Sequence, residues 1–171
     1  MEQTLTEEKI AELVTEVKAM IAPFYNAIEQ ARKANADREV GGRIKSGKLQ
    51  FMDESQWLSS SVVGEFHEEE RKITKDGWLT FHTHPVAGLP HESAADILAA
   101  YYRLREVIIH EQGITLLIAL KELPVDIITK LDEQAWKEAQ LEEEKSGEQA
   151  YWFWKGILQQ KLPVRVVNFK L

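Results

Sequence analysis

Phe81-His82-Thr83-His84-Pro85, followed after a loop by Ser93-Ala94-Ala95-Asp96, sets how the rest of the chain is read. Leu79 to His84 has the composition of a strand. Side chains alternate between faces along a strand, so His82 and His84 point to the same side and one metal ion can reach both. Pro85 ends the strand, Gly88 and Pro90 mark a turn, and Ser93-x-x-Asp96 opens a helix running to about Arg105. Ser-x-x-Asp is by itself a helix N-terminal cap, and His-x-His by itself occurs on exposed strands without any metal. Strand, turn and helix together bring two nitrogens and one carboxylate to one corner. Neutral imidazole is a preferred zinc donor, and a catalytic zinc keeps three protein ligands and an open position, so Asp96 is the natural third ligand.

Outward from this corner, elements alternate between helix and strand. Thr4 or Thr6 caps a first helix with Ile10, Leu13, Val14, Val17, Met20 and Ile21 as its apolar stripe, and Pro23 kinks or restarts it. A second helix covers Phe24 to Ala34, and Gly41-Gly42 opens an extended region, placing Glu39 at a helix-to-strand junction. Lys48 to Met52, Ser61 to His67 and Trp78 to His82 read as strands. Val107-Ile108-Ile109 and Ile114 to Leu120 flank Gln112-Gly113 as a hairpin of buried strands. Pro124 starts an acidic helix that Ser146-Gly147 interrupts. Tyr151-Trp152-Phe153-Trp154 begins another helix, and Val164 to Val167 closes the sheet. An α/β class follows.

Composition narrows the function. With 171 residues, residues 1–171 form a single domain. A hydrophobic share of 44% against 29% charged is that of a chain that folds. The formal net charge of -7 disfavours attraction to phosphate backbones and anionic lipid, so neither nucleic acid nor membrane is an expected partner. There is no cysteine, so any metal must be held by nitrogen and oxygen, and cysteine nucleophiles are excluded. Met1-Glu2-Gln3-Thr4-Leu5 lacks the basic start and apolar core of a signal peptide, and the expected compartment is the cytoplasm.

His82-Thr83-His84-Pro85 and Ser93-x-x-Asp96, with an acid upstream, resemble the JAMM, or MPN-plus, family of zinc metallo-isopeptidases. Glu39-Val40-Gly41-Gly42-Arg43-Ile44 resembles that family's first-strand signature, with glycine three places after the acid and an apolar residue two beyond it. The resemblance implies a JAB/MPN-like mixed and strongly bent β-sheet flanked by helices. Its core would span about 24–122, with a helical extension and closing strand over 123–171. It assigns Zn2+ to His82, His84 and Asp96, makes Glu39 the catalytic base, and gives Ser93 the task of orienting water or the substrate carbonyl. Asp37 and Glu65 are the alternatives to Glu39. The implied activity is hydrolysis of peptide or isopeptide bonds at the extended C-terminal tail of a ubiquitin-like or sulfur-carrier-like protein.

A non-catalytic scaffold or binding subunit of the same fold, and a RadC-like protein in DNA-related work, are the alternative functions. Intact ligands weigh against the first and the acidic balance against the second. Among the other histidines, His91 is expected in an exposed loop, His67 in a solvated turn and His110 at the surface. Four consecutive aromatics cannot share one helix face, so Tyr151 to Trp154 are expected to pack on the first helix and leave at least one ring near the surface, where a homodimer or a substrate protein could meet it.

Overall fold

A computed structural model describes residues 4–52, 65–86 and 92–171. Among them lie α1 (Glu7–Ile21), a 3-10 turn (Ala22–Phe24), α2 (Tyr25–Ala34), β1 (Gly41–Lys45), β2 (Lys48–Met52), α3 (Glu65–Lys75) and β3 (Leu79–Thr83). These are followed by α4 (Ala94–Arg103), β4 (Arg105–His110), β5 (Gly113–Ala119), α5 (Val125–Ser146), α6 (Ala150–Lys161) and β6 (Val164–Phe169). The strands form one mixed sheet in the order β2-β1-β3-β4-β5-β6. Only β3 and β4 are parallel, because α4 carries the chain across between them; every other neighbouring pair is antiparallel. Among the described residues no helix is long and apolar enough to cross a membrane.

Alternation along the strands divides the sheet into two faces. Leu79, Phe81, Val107, Ile109, Ile114, Leu116 and Ile118 meet Ile10, Val17 and Ile21 of α1 and Ile28 of α2 in one apolar cluster. Thr6 caps α1, its Oγ1 accepting from Lys9 N at 3.2 Å, and Pro23 sits in the 3-10 turn that follows. The opposite face carries Thr80, His82, Glu106, Ile108 and Leu117 beneath α4. There Ala94, Ile97 and Tyr101 pack with Leu123, Ile128, Ala135, Leu158 and Leu162 of the C-terminal segment. Residues outside 24–122 therefore lie as deep in the core as those within it.

Four expectations need correction. Ser61 to His67 is not a strand as far as it is described, since α3 begins at Glu65 and the residues before it lie outside the described residues. The side of α3 that turns inward bears Glu70, Arg71 and Thr74, all buried, so the helix has no apolar stripe to announce it. His67 is on that helix, half-buried, with its ring stacked on Tyr102 at 3.7 Å and 5°. His110 is buried rather than at the surface, with Nε2 2.8 Å from Thr115 Oγ1. The aromatic run packs on α5, not α1: Trp154 meets Trp136 edge-on at 5.5 Å and its Nε1 donates to Asp132 at 2.8 Å. His91 lies outside the described residues.

Candidate metal centre

His82 is the fourth residue of β3 and His84 follows the strand's last residue, both on the α4 face. The ladder continues past the formal end of β3, because His84 N donates to Ile109 O at 2.9 Å. Both imidazoles are buried, and their ring centroids are 5.4 Å apart. Asp96 comes from the first turn of α4, where a complete capping box fixes it: Ser93 Oγ accepts from Asp96 N at 3.2 Å and Ser93 N donates to Asp96 Oδ2 at 2.8 Å. The carboxylate that caps the helix also faces both histidines. Asp96 Oδ1 lies 2.9 Å from His82 Nε2, and Oδ2 lies 3.2 Å from His84 Nε2.

Glu39 reaches the same corner from the turn before β1. Val40 is tied to the residue between the histidines twice, since Val40 N donates to Thr83 Oγ1 at 2.9 Å and Thr83 N donates to Val40 O at 2.8 Å. Gly41 then pairs with His82 across the β1–β3 ladder. Gly42 is required by close approach: a Cβ there would meet Gln50 O at 2.6 Å and the Phe81 ring at 2.7 Å. A side chain at 42 would thus press β1 away from the backbone of β2 and displace the Phe81 ring of β3, beside Glu39. Donor atoms of Glu39, His82 and His84 all lie within 4.8 Å of one another. Asp37 is exposed, and the Glu65 side chain lies outside the described residues.

One buried group that contacts His82 escapes the sequence reading. Glu106, in β4 with no exposed surface, places Oε1 2.9 Å from His82 Nδ1. Its Oε2 accepts from Arg103 Nη1 at 3.1 Å and from Thr80 Oγ1 at 3.3 Å. Arg103 in turn pairs through Nε with Glu70 of α3 at 3.1 Å. A charge without surface needs such partners, and this chain of polar groups supplies them from β3, α4 and α3. The signal was an acid beside the apolar run Val107-Ile108-Ile109, on the strand face that carries Ile108, the residue paired with His82.

Electrostatics follow from this packing. Burial alone would lower the His82 pKa, but hydrogen bonds and charge from Asp96 and Glu106 outweigh it and push it up to about 10. Burial would raise Asp96, yet His82, His84 and the Ser93 amide hold it well below the usual carboxylate range. Glu39 moves the other way: burial pushes it up, His82 and His84 oppose this in part, and the charges of Asp96 and Glu106 add to the rise.

The grouped donors Glu39, His82 and His84 could hold a metal ion. In the neutral ring, donation from His82 Nδ1 to Glu106 fixes the proton there and leaves the lone pair on Nε2, facing the corner. Two imidazole nitrogens and the Asp96 carboxylate converge on that corner, with Glu39 close by. Comparison with family models, with curated proteins and with solved structures finds no match.

Proposed function

We propose that this protein is a zinc-dependent metallopeptidase of the JAMM isopeptidase type, with a JAB/MPN-like, strongly bent sheet. Its substrate would be the extended C-terminal tail of a ubiquitin-like or sulfur-carrier-like protein. The observation that supports this best is the convergence of Glu39 and Ser93 on the corner formed by His82, His84 and Asp96, with both lining one open cavity. A scaffold would have no use for a half-buried carboxyl held against two buried imidazoles.

His82, His84 and Asp96 would hold the ion, whose Lewis acidity polarises a carbonyl and acidifies water. Glu39 takes a proton from the attacking water as the carbon–oxygen bond forms, then gives it to the amine as the carbon–nitrogen bond breaks. Its raised pKa suits both halves of that task, because a group that is too acidic would release the first proton and fail to hold it for the second. Ser93 Oγ already accepts from Asp96 N, so its own O–H is oriented by α4 and donates to the oxygen on which negative charge grows. An extended tail would lie along the open cavity, its backbone giving register.

Metal analysis with a cleavage assay on ubiquitin-like fusions tests this. Glu39→Gln should retain stoichiometric zinc and lose roughly 10²- to 10⁴-fold in cleavage rate, whereas His84→Ala should lose the metal. Stoichiometric zinc in His84→Ala, or wild-type cleavage by Glu39→Gln, would overturn the proposal.

A further inference from the structure

The cavity beside His84, about 380 Å³ in volume, has a wall that the chemistry leaves unused. Glu39 and Ser93 line it together with Tyr151, Trp152 and Lys155 of α6. Helix α6 is held by Leu158, fully buried, and by Trp154, which packs on Trp136 and donates to Asp132. Its inward side is therefore occupied without the first two aromatics of the run. Tyr151 and Trp152 remain 44% and 63% exposed, with rings 5.6 Å apart and nearly perpendicular at 80°. Two large rings left open to water form an apolar corner whose covering is favourable.

What can cover it is constrained by continuity and by charge. Any group seated there shares the cavity with Glu39 and Ser93, so it belongs to the molecule whose carbonyl those residues address. Among the described lining residues, Glu39 and Glu92 put two carboxyl groups in the cavity, and the one ammonium, Lys155, lies 3.8 Å from Glu92. Among those residues an acidic side chain meets two carboxyl groups and an ammonium already beside one of them, whereas an apolar one finds both rings.

We propose that Tyr151 and Trp152 form a specificity subsite that receives an apolar side chain of the polypeptide substrate, flanking the bond to be cut. This rests on the peptidase reading of the adjoining site. The C-terminal segment would then supply substrate recognition as well as core.

The test uses the full-length, zinc-treated protein and four capped amino acids: the N-acetyl amides of leucine, phenylalanine, glycine and aspartate. Indole N–H signals are followed by NMR, and Trp152→Phe identifies the Trp152 signal. The leucine and phenylalanine probes should shift it saturably while the glycine and aspartate probes do not. Trp152→Ala should weaken leucine binding, read at the Ser93 amide, by about two- to tenfold, and Trp152→Phe should restore most of it. Equal response to all four probes, or unchanged leucine binding in Trp152→Ala, overturns the subsite. Zinc content measured on the same samples separates the two ideas. Stoichiometric zinc with an indifferent Trp152 sinks the subsite alone, whereas selective binding without zinc sinks the peptidase reading and with it the subsite's place beside a scissile bond, leaving Tyr151 and Trp152 as an apolar binding corner only.

Discussion

Glu106→Gln exchanges one oxygen for an amide nitrogen at a position with no exposed surface, so its effects can be worked out contact by contact. The wild-type carboxylate receives His82 Nδ1 at 2.9 Å, Arg103 at 3.1 Å and Thr80 at 3.3 Å. Glutamine fills the same volume and keeps one acceptor oxygen. If that oxygen stays with His82, the amide NH₂ faces the Arg103 guanidinium, a donor against donors, and Arg103 retains Glu70. If the amide turns over, His82 Nδ1 loses its acceptor. Either way a charge-assisted bond is replaced by a neutral or a missing one, at a cost of about 1–3 kcal/mol in a urea unfolding experiment with chelator present. Glu106→Ala takes a buried partner from both His82 and Arg103 and should cost about 3–5 kcal/mol. Losing the carboxylate that orients a metal-binding histidine typically weakens the metal by about 10- to 100-fold, or about 1.4–2.8 kcal/mol. Competition with a chromophoric chelator measures that step in Glu106→Gln, the variant more apt to fold. Wild-type zinc affinity in a folded Glu106→Gln would refute the assignment of Glu106 to orienting His82.

Arg71→Met tests what closes the far end of the helix that carries Asp96. Arg71 is buried and donates to Tyr101 O at 3.0 Å, Tyr102 O at 3.2 Å and Leu123 O at 2.6 Å, so methionine leaves buried carbonyls unmet. A loss of about 3–5 kcal/mol by urea unfolding is expected, and a loss below about 1 kcal/mol would show that these bonds do not hold α4 in place. In chelated protein the alkaline side of the stability profile should belong to His82. Its folded pKa of about 10 exceeds the ordinary 6.5, so its contribution is full below pH 6.5 and drains away as pH rises towards 10. Asp96, depressed from 3.8, acts on the acid side, where stability falls as pH drops below that value. Urea midpoints that stay level from pH 6.5 to 9 would contradict the His82 assignment.

The parts of this fold visible in the sequence are those where apolar residues do the packing. The stripe on α1, the runs in β4 and β5 and the breaks at Pro23, Gly113 and Gly147 all correspond to elements or their ends. Helix α3 was hidden because its buried residues are Glu70, Arg71 and Thr74, a polar surface that only a partner elsewhere in the chain makes sense of. The same limit applies at the site. His82, His84 and Asp96 could be grouped from local spacing, since strand and helix periods say where their side chains point. Glu106 could not, because it meets His82 through a parallel pairing whose register depends on how α4 crosses the sheet. The contacts of the run Tyr151 to Trp154 follow a similar rule: Trp154 finds Asp132 and Trp136 only once α5 and α6 fold against each other.

Thr83, the residue enclosed by the two histidines, has no exposed surface and bonds Val40 with both its amide and its hydroxyl. The position beside Val40 belongs to Glu39, so the spacing of that carboxyl from the imidazoles is gauged by a single neighbouring residue. A shift of β2, the edge strand, leaves acid and histidines together, like two marks on one ruler. The loop before Glu39 can exchange residues without altering that interval, provided the two Val40–Thr83 bonds and the Gly41–His82 pairing stand.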